Sequence, residues 1–317
     1  MSAERYLVTG GAGFIGSHLT LALAAAGHHV RVFDDFSSGR MEHLAGADGL
    51  PGVVEIVRGD LRDAEAVRAA AEAAEVIFHE GAIASVPRSL AEPAMTLDVN
   101  VKGLLNTLEA ARSAGVRRVV IASSSAIYGD TPDLPLSERL PPRPLSPYAA
   151  HKLCDEQLCA VYGRLYGLET VALRYFNVFG PRQDPNSEYA AVIPRFVTRL
   201  RAGQRPIIYG DGEQTRDFIH ISDVVRANLL AASAPGAAGG VYNIGTGHAI
   251  SLQQVLAVAG DLLGVQPQPE YQPPRAGDIR DSVADIALAR AELGFSPQTT
   301  FRDGLADLLR AEPASAV

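Results

Sequence analysis

Residues 6–16 read YLVTGGAGFIG, a short apolar run that leads into closely spaced glycines and then into a helical pattern. Gly10 and Gly13 permit a tight turn and a close approach of the backbone to a pyrophosphate, and Gly16 lets the following helix pack against the strand. The free N–H groups at the start of that helix then face the phosphates. This stretch predicts a strand, a dinucleotide-binding turn and a helix in direct succession.

An acidic residue follows at the distance that such a turn requires. Asp34 lies eighteen residues after the last of these glycines, at the end of the predicted strand 30–33. A carboxylate there accepts hydrogen bonds from a ribose diol and repels a 2′-phosphate, so NAD is favoured over NADP. Asp60 and Leu61, after the third predicted strand, are placed to contact the adenine edge. A helix cap at Asp60 or Asp63 explains that second pattern equally well.

Short apolar runs alternate with helical patterns through the first half of the chain. The predicted strands are 6–9, 30–33, 53–57, 76–79, 119–122 and 170–173, and an alanine-rich helix is expected at 63–74. Nearly all-apolar strands separated by helices indicate a parallel sheet covered on both faces, which is a doubly wound α/β fold of the Rossmann type. Proline and glycine become frequent after residue 174, which predicts a smaller C-terminal substrate domain. We place the cofactor domain at 1–176 and the substrate domain mainly at 177–317, with about 217–243 returning to the first.

The composition excludes several classes of protein. Hydrophobic residues make up 47% of the 317 residues and charged residues 20%, which excludes global disorder. The net charge is −8 and no basic run occurs, so neither nucleic acid nor an anionic membrane is expected as a partner. No cluster of His, Cys, Asp or Glu has metal-ligand spacing, and we predict no metal.

The two cysteines bear on the cellular compartment. Cys154 and Cys159 lie five residues apart in a helical pattern, on different faces, which is poor geometry for a disulfide. Unpaired thiols suit a reducing compartment. Residues 1–8 are too short and polar for a signal peptide, and the apolar stretch 19–26 ends at Gly27, too soon to span a bilayer. The expected location is the cytoplasm.

A tyrosine and a lysine share one face of a predicted helix. Tyr148 and Lys152 are four residues apart, Ser146 can cap this helix, and Pro147 suits its first turn. A phenol is a poor base at neutral pH because its ordinary pKa is about 10. A lysine and a positively charged nicotinamide both favour the phenolate. Lowering a phenol pKa by about 3 units requires roughly 4 kcal/mol of differential interaction.

Serines precede this helix in the order that an active site requires. Ser123, Ser124 and Ser125 follow the predicted strand 119–122, and a serine at that edge of a sheet can share a proton with a substrate hydroxyl. A Tyr-x-x-x-Lys pattern alone recurs by chance on surface helices. The succession of glycine turn, serines and Tyr-x-x-x-Lys is what indicates catalysis. We interpret His151 and His220 as packing or surface residues.

Together these motifs resemble the extended short-chain dehydrogenase/reductase superfamily, and within it the NAD-dependent UDP-sugar 4-epimerases. Residues 174–186, which read RYFNVFGPRQDPN, are similar to the signature of the UDP-N-acetylglucosamine and UDP-glucose 4-epimerases. The resemblance extends from residue 6 to about residue 295. The usual His-x-Ala-Ala after the fourth strand reads His79-Glu80-Gly81-Ala82 here, and this departure leads us to expect Glu80 near the cofactor.

The resemblance implies a role for each matching residue. The catalytic residues are Ser124, Tyr148 as the base and Lys152 as its partner. The cofactor-binding residues are Gly10, Gly13, Phe14, Ile15, Gly16, Asp34, Asp35, Ser37, Ser38, Gly39, Asp60, Leu61, His79, Gly81, Ala82, Asn100, Ser123, Tyr148, Lys152 and Phe176. The substrate-binding residues are Ser124, Ser125, Asn177, Ala191, Val192, Tyr209, Arg216, Arg275, Asp278 and Ser282. A homodimer formed through helices near 101–114 and 148–166 is also implied.

For the reaction, the resemblance implies inversion at C4 of a UDP-hexose through a transient 4-keto sugar, with tightly bound NAD regenerated in each turnover. Related dehydratases carry Asp and Glu at the two positions after the catalytic Ser/Thr, and related decarboxylases carry a Glu at the second. These positions are Ser125 and Ala126 here, neither of which is an acid. Epimerisation without further chemistry is therefore expected.

Several alternatives stay open on the sequence alone. UDP-glucuronate 4-epimerases tend to carry Thr where this chain has Asn177, and Ser282 matches a position that limits the size of the C2 substituent, where serine leaves room for an N-acetyl group. An NAD(H)-sensing binding protein without turnover would typically lack the tyrosine or the lysine. Arg216 and Asp217 could form a structural ion pair, and Arg275 could be a solvated charge.

Overall fold

The fold is built on a parallel sheet whose strands coincide with the apolar runs of the sequence. A computed structural model describes residues 3–184, 192–274 and 279–311. The strands are β1 (Arg5–Thr9), β2 (His29–Asp34), β3 (Val53–Arg58), β4 (Val76–His79), β5 (Arg118–Ser124), β6 (Glu169–Tyr175), β7 (Asn177–Phe179), β8 (Ile207–Tyr209), β9 (Thr215–His220), β10 (Val241–Ile244), β11 (Ala249–Ser251) and β12 (Glu270–Gln272). The α-helices are α1 (Phe14–Ala25), α2 (Ala64–Ala70), α3 (Val86–Ala91), α4 (Pro93–Leu97), α5 (Gly103–Ala114), α6 (Pro147–Tyr166), α7 (Val192–Arg201), α8 (Ile221–Ser233), α9 (Leu252–Leu263), α10 (Ala287–Leu293) and α11 (Phe301–Ala311).

A 7-stranded sheet in the order β10-β6-β5-β4-β1-β2-β3 forms the centre of the molecule. Each pair of neighbouring strands in it is parallel. β1 has β2 on one side and β4 on the other, so the strand order reverses at β1 and a crevice opens beyond the carboxyl ends of these strands. The prediction of a doubly wound α/β fold of the Rossmann type is confirmed.

Successive side chains of β1 enter two different cores. Leu7 packs in a cluster with residues of α2 and α5, whereas Val8 packs in a cluster with residues of α1 and α8. Both side chains are fully buried. Burial on both faces of the sheet is the reason why its strands read as continuous apolar runs rather than as an alternating pattern.

Two smaller sheets lie in the C-terminal part, one in the order β11-β9-β7 and one that pairs β12 with β8. Asp217 of β9 is fully buried and joins β9 to the turn between β10 and β11 and to Ala284. Its carboxylate accepts hydrogen bonds from the N–H (2.8 Å) and Oγ1 (2.6 Å) of Thr246 and from the N–H groups of Gly247 (2.9 Å) and Ala284 (3.1 Å). Asp217 is therefore a structural residue. β10 pairs with β6 in the main sheet, and the domain division at residue 176 stays a prediction.

The helix predicted at 63–74 is shorter in the structure, where α2 ends at Ala70. Asp63 caps it by accepting hydrogen bonds from the N–H groups of Glu65 and Ala66, both at 3.1 Å, so the cap is Asp63 rather than Asp60. The chain then turns through Ala73, which has a φ of 60°, in order to enter β4. Residues 71–74 are mostly alanine and favour helix, yet the chain turns there and enters β4 at Val76.

The cysteines and the helices bear on the cellular compartment. Cys154 is exposed, Cys159 is buried, and both are free thiols. Within the described ranges, no helix combines the length and the apolar character that crossing a membrane requires. The cytoplasmic location stays a prediction.

Candidate active site at the carboxyl edge of the sheet

The glycine-rich turn brings two loops of the main sheet into direct contact. Gly10 has a φ of +64°, and a Cβ added to it would lie 2.7 Å from the Cα of Gly81 in the loop after β4. A Cβ added to Gly16 would lie 2.1 Å from the carbonyl oxygen of Gly10, so neither position tolerates a side chain. The N-cap residue of α1 is Gly13, which has no side chain to cap the helix. The first N–H groups of α1 are thus left for a ligand, which fits a dinucleotide pyrophosphate.

Asp34 lies at the end of β2 and is 7% exposed. Its Oδ2 accepts a hydrogen bond from the N–H of Ala12 (2.9 Å) and its Oδ1 accepts one from the N–H of Phe36 (2.8 Å). A Cβ added to Gly39 would lie 2.6 Å from Oδ1, so Gly39 is needed for this close approach. Burial raises the pKa of Asp34, and the two backbone hydrogen bonds oppose that rise. Asp34 therefore holds the glycine-rich turn against the loop after β2.

The other residues expected around the adenosine half are spread over three loops. Phe14 and Ile15 are partly buried in the first turn of α1, whereas Asp35, Ser37 and Ser38 are exposed after β2. Asp60 forms an ion pair with Arg62 at 2.5 Å, and this guanidinium lowers its pKa. Leu61 is buried, and its carbonyl oxygen accepts a hydrogen bond from Nδ2 of Asn106 (2.8 Å).

His79 and Asn100 support the loop that carries Gly81 and Ala82. Nδ1 of His79 lies 3.0 Å from Oγ1 of Thr9, and burial followed by the nearby charge of Lys152 lowers its pKa to about 3. Asn100 accepts a hydrogen bond from the N–H of Ile83 (2.8 Å) and donates one to its carbonyl oxygen (3.2 Å). Nδ1 of His79 and both polar atoms of Asn100 are therefore bonded inside the protein.

The carboxyl group of Glu80 is hydrogen-bonded inside the protein, and its expected place near the cofactor stays a prediction. Oε1 accepts a hydrogen bond from the hydroxyl of Tyr175 (2.8 Å), which in turn accepts one from Nδ2 of Asn228 (2.7 Å). Oε2 is closed off from solvent and has no hydrogen-bond partner among the described residues. Burial raises the pKa of Glu80 to about 7. The space between the end of β4 and α8 accommodates this polar group.

The three candidate catalytic residues lie on two adjacent elements, β5 and α6. Ser124 is the last residue of β5 and its Oγ accepts a hydrogen bond from the N–H of Ala126 (3.2 Å), which starts the short helical turn Ser125–Tyr128. Tyr148 stands in the first turn of α6, which Ser146 caps by accepting a hydrogen bond from the N–H of Ala149 (3.2 Å), as predicted.

Ser89 of α3 adds a second cap to the same helix. Its hydroxyl, fully buried, accepts a hydrogen bond from the N–H of Tyr148 (3.1 Å) and donates one to the carbonyl oxygen of Val86 (2.7 Å). Ser89 was not identified from the sequence, because 59 residues separate it from Tyr148 and no local pattern connects them.

A buried polar network joins α6 to the ends of β5 and β6. Glu156 binds Arg174 through two hydrogen bonds of 2.9 and 2.7 Å, and it also accepts one from the hydroxyl of Ser123 (2.5 Å). Arg174 donates to the hydroxyl of Tyr128 (2.8 Å), which donates to Oδ1 of Asn243 (2.7 Å). Ser123, expected at the cofactor, thus directs its hydroxyl to Glu156.

A cavity of about 620 Å³ lies between β7, β8, β9 and α7. It brings together four of the predicted substrate residues, namely Asn177, Val192, Tyr209 and Arg216. Residues that the sequence did not identify also line it, namely Arg195, Thr198, Arg199, Gln204 and Gln214. Among the described residues of the lining, the charged ones are all arginines, which suits a ligand with phosphate groups.

The remaining predicted residues are not part of the described lining of this cavity, or they lie outside the described ranges. Phe176 is buried, with its ring centroid 6.5 Å from that of Tyr128. Ser125 is partly exposed in the turn after β5. Ser282 is buried beside the start of β9, where its N–H donates to the carbonyl oxygen of Thr215 (3.2 Å), and it does not line the cavity. Ala191, Arg275 and Asp278 lie outside the described residues.

Comparison with known proteins agrees with this arrangement. The model of the NAD-dependent epimerase/dehydratase family matches residues 6–245. A UDP-glucose 4-epimerase of Mycolicibacterium smegmatis is 43% identical over 95% of this chain and 96% of its own length. The structure of a UDP-N-acetylglucosamine 4-epimerase from Methanobrevibacter ruminantium, in complex with UDP-N-acetylmuramic acid, superposes with a TM-score of 0.93 at 39% identity and covers 98% of both chains. A UDP-glucose 4-epimerase of Thermus thermophilus in complex with NAD is 38% identical, with a TM-score of 0.87 over 97% of this chain and 98% of its own.

We predict that the purified protein carries NAD(H) and that Asp34→Ala weakens NAD binding by roughly 10- to 100-fold, because a buried, hydrogen-bonded carboxylate is lost. Mass spectrometry of the released nucleotide and calorimetric titration of the cofactor-free protein measure the two effects. His43→Ala is the matched control, since Nδ1 of His43 contacts the carbonyl oxygen of Ala12 (2.9 Å) in the same turn. NADP(H) in the purified protein, or equal losses in both variants, would contradict the ribose assignment for Asp34.

Proposed function

The chain belongs to the NAD-dependent epimerase/dehydratase family, and within it we propose a UDP-hexose 4-epimerase of the UDP-N-acetylglucosamine/UDP-glucose type with tightly bound NAD. The observation that supports the proposal is that Ser124 ends β5, which lies in the sheet between β1, the strand before the glycine-rich turn, and β6, the strand that leads to the arginine-lined cavity. Ser124 pairs in the sheet with Tyr175, two residues before Asn177 in that cavity. A sugar linked to a nucleoside diphosphate would therefore reach from the cavity to the catalytic edge.

The proposed mechanism requires one base and a means of retaining the oxidised sugar. Tyr148 takes the proton from the C4 hydroxyl with the assistance of Ser124, and Lys152 stabilises the phenolate. Bound NAD would accept the hydride from C4 and later give it back to C4. The transient 4-keto sugar turns about its link to the diphosphate and presents its other face, after which Tyr148 returns the proton. The arginines of the cavity would hold the diphosphate through this rotation.

The turn after β5 supports epimerisation over diversion of the keto sugar. Elimination or decarboxylation needs acidic side chains directly after the catalytic serine, and these positions hold Ser125 and Ala126. A non-catalytic NAD(H)-sensing protein is the alternative from another class. The presence of Tyr148 and Lys152 on a helix with two serine caps argues for turnover.

The choice of sugar rests on two positions. Asn177 lines the cavity, where UDP-glucuronate 4-epimerases tend to carry threonine, so glucuronate is the second candidate. Ser282 is small and its resemblance to the C2-substituent position favours acceptance of N-acetylated sugars together with plain ones. Its burial beside β9 means that a larger side chain there would have to displace its surroundings.

A homodimer through α5 and α6 is part of the proposal. These helices expose apolar side chains that a monomer would leave in water, namely Leu105, Val161, Leu165 and Tyr166. Two copies related by a two-fold axis would bury them against each other.

Tyr148→Phe should reduce kcat by roughly 10²- to 10⁴-fold, because it removes the base and leaves the ring in place. Binding of the UDP-sugar should change little, and Ser124→Ala should reduce kcat less because water can replace its hydroxyl. The matched control is Tyr166→Phe on the same helix, whose ring is 53% exposed. NMR of the anomeric proton follows epimerisation of UDP-sugars. Turnover close to that of the unmodified protein in Tyr148→Phe would refute the mechanism.

Ser282→Tyr should lower kcat/KM for N-acetylated UDP-sugars by roughly 5- to 150-fold, because overpacking a tight site costs about 1–3 kcal/mol. UDP-glucose and UDP-galactose should lose less, because they have only a hydroxyl at C2, although the displaced surroundings of Ser282 would affect them too. Ser282→Ala removes the hydroxyl without filling space and serves as the control. Equal losses for both sugar pairs would show that Ser282 does not select the substrate. An unmodified enzyme that ignores N-acetylated sugars would make glucuronate the leading candidate.

Light scattering coupled to gel filtration should give twice the chain mass of 33.5 kDa for the native protein. Leu165→Arg should shift this mass towards the monomer, because a charge would be buried in the interface. Tyr271→Arg, at an apolar side chain that is 54% exposed in the C-terminal part, should leave the mass unchanged. A native monomer, or identical behaviour of the two variants, would rule out this interface.

A further inference from the structure

Lys152 has an ionic partner inside the protein. Its Nζ lies 3.6 Å from Oδ2 of Asp155, one turn further along α6. The two residues are only 3% and 2% exposed. The second oxygen of this carboxylate, Oδ1, is closed off from solvent and has no hydrogen-bond partner among the described residues. The carboxylate of Asp155 is therefore directed at Lys152 and at no other described side chain.

The other charged groups close to this pair have partners of their own. Glu156, the next residue of α6, is bound to Arg174 of β6. Glu80, after β4, accepts a hydrogen bond from Tyr175. Each of these two acids thus has a donor other than Lys152.

The remaining titratable groups of the neighbouring elements do not compensate the charge of Lys152 either, because they are neutral or already paired. Burial keeps His79 of β4 uncharged, and burial raises the pKa of the Cys159 thiol on α6 itself. Tyr128, in the turn after β5, has its pKa raised to about 12 by burial. Glu109 of α5 is paired with Arg112 on its own helix. Among the described acids, Asp155 is thus the one in an ion pair with Lys152, while Glu80 experiences the charge of Lys152 without such a pair.

We propose that Asp155 is a positioning residue for catalysis. It keeps Lys152 protonated in the crevice, and its negative charge offsets part of the positive charge of Lys152 at Tyr148. The inference rests on the proposed function, because it presumes that Tyr148 and Lys152 act in the reaction. A buried ammonium ion without a counter-ion would be destabilised relative to the neutral amine. A carboxylate beside it also opposes ionisation of a nearby phenol, with an effect that decreases with distance.

Asp155→Asn keeps the shape of the side chain and removes its charge, so both effects of the carboxylate should disappear. In the pH profile of kcat, the alkaline limb should move to lower pH by about one unit, because the buried ammonium ion then loses its proton more readily. The acid limb should move in the same direction by less than about one unit, since Tyr148 lies two helical turns, roughly 10 Å, away. KM for the UDP-sugar should stay the same.

The difference in pH profile between the native protein and Asp155→Asn should itself depend on pH. Burial raises the pKa of Asp155 to about 6, against the opposing charge of Lys152. Above that pH the carboxylate is ionised, so the native protein and Asp155→Asn should differ. Below it Asp155 is itself neutral, and the two proteins should converge.

Two variants separate this role from a contribution to folding. Asp223→Asn is the matched control, because Asp223 is also fully buried and paired with the residue three positions later, Arg226 (2.9 Å), but lies in α8. It should lower the melting temperature and leave both limbs in place. Asp155→Glu keeps the negative charge, so both limbs of its pH profile should stay near the native positions even if its packing is worse. This variant still tests the proposal if Asp155→Asn does not fold.

A second measurement needs no turnover. Ultraviolet titration of tyrosinate in the cofactor-free protein, with the corresponding Tyr148→Phe protein subtracted, isolates this phenol from the other tyrosines. The midpoint of that difference should fall in Asp155→Asn. The proposal is wrong if the two limbs of the pH profile and the midpoint of the tyrosinate titration keep their native values in Asp155→Asn. It is also wrong if Asp155→Glu shifts them by the same amount. Full turnover by Tyr148→Phe would instead refute the proposed role of Tyr148 as the base, and the titration would still report the coupling between Asp155 and this phenol.

Discussion

The buried ion pair between Arg174 and Glu156 connects the three elements that carry the candidate site. Each residue is 5% exposed, and two hydrogen bonds join them. Withdrawing two ions from water is expensive, so such a pair is stable only when its geometry is good and its remaining donors and acceptors are satisfied. Ser123 and Tyr128 supply those further bonds. Because this pair links α6 to β5 and β6, it fixes Ser124 and Tyr148, the candidate catalytic residues, relative to each other.

Several polar residues near the cofactor crevice support the backbone of its loops. Asp34 bonds to the N–H groups of two loops, Asn100 bonds to both polar atoms of one peptide, and His79 bonds to threonines. Their contribution to binding is to hold the glycine-rich turn in shape before the cofactor arrives. A ligand that meets an ordered loop loses less free energy on binding than one that must order it.

The electrostatics of the candidate site differ from those of the chain as a whole. The net charge is −8, yet arginines supply the charged side chains among the described lining of the cavity. A few positive groups in a concave, partly apolar site act more strongly than the same charges on an open surface, because less water screens them. An acidic chain can therefore present a positive site to a nucleoside diphosphate.

The sequence by itself determined those features that depend on neighbours in the chain. The apolar runs specify the strands of the parallel sheet, the glycines of residues 6–16 specify a turn that admits no side chain, and the spacing of Tyr148 and Lys152 places both on one helical face. The family resemblance added the expected roles, and the family-level match agrees with it. These features could be predicted because they follow from the periods of strand and helix and from the steric needs of one turn.

Only the tertiary structure decided what lies opposite each of these residues. Ser89 caps α6 although 59 residues separate it from Tyr148 in the sequence, and Ser123 bonds to Glu156, which is 33 residues away. The inward turn of Glu80 depends on Tyr175 and Asn228, and the arginines of α7 line the cavity only because that helix packs beside β7 and β9. Such contacts have no signature in a local pattern, because they depend on how separate elements pack and on which buried polar groups find a partner.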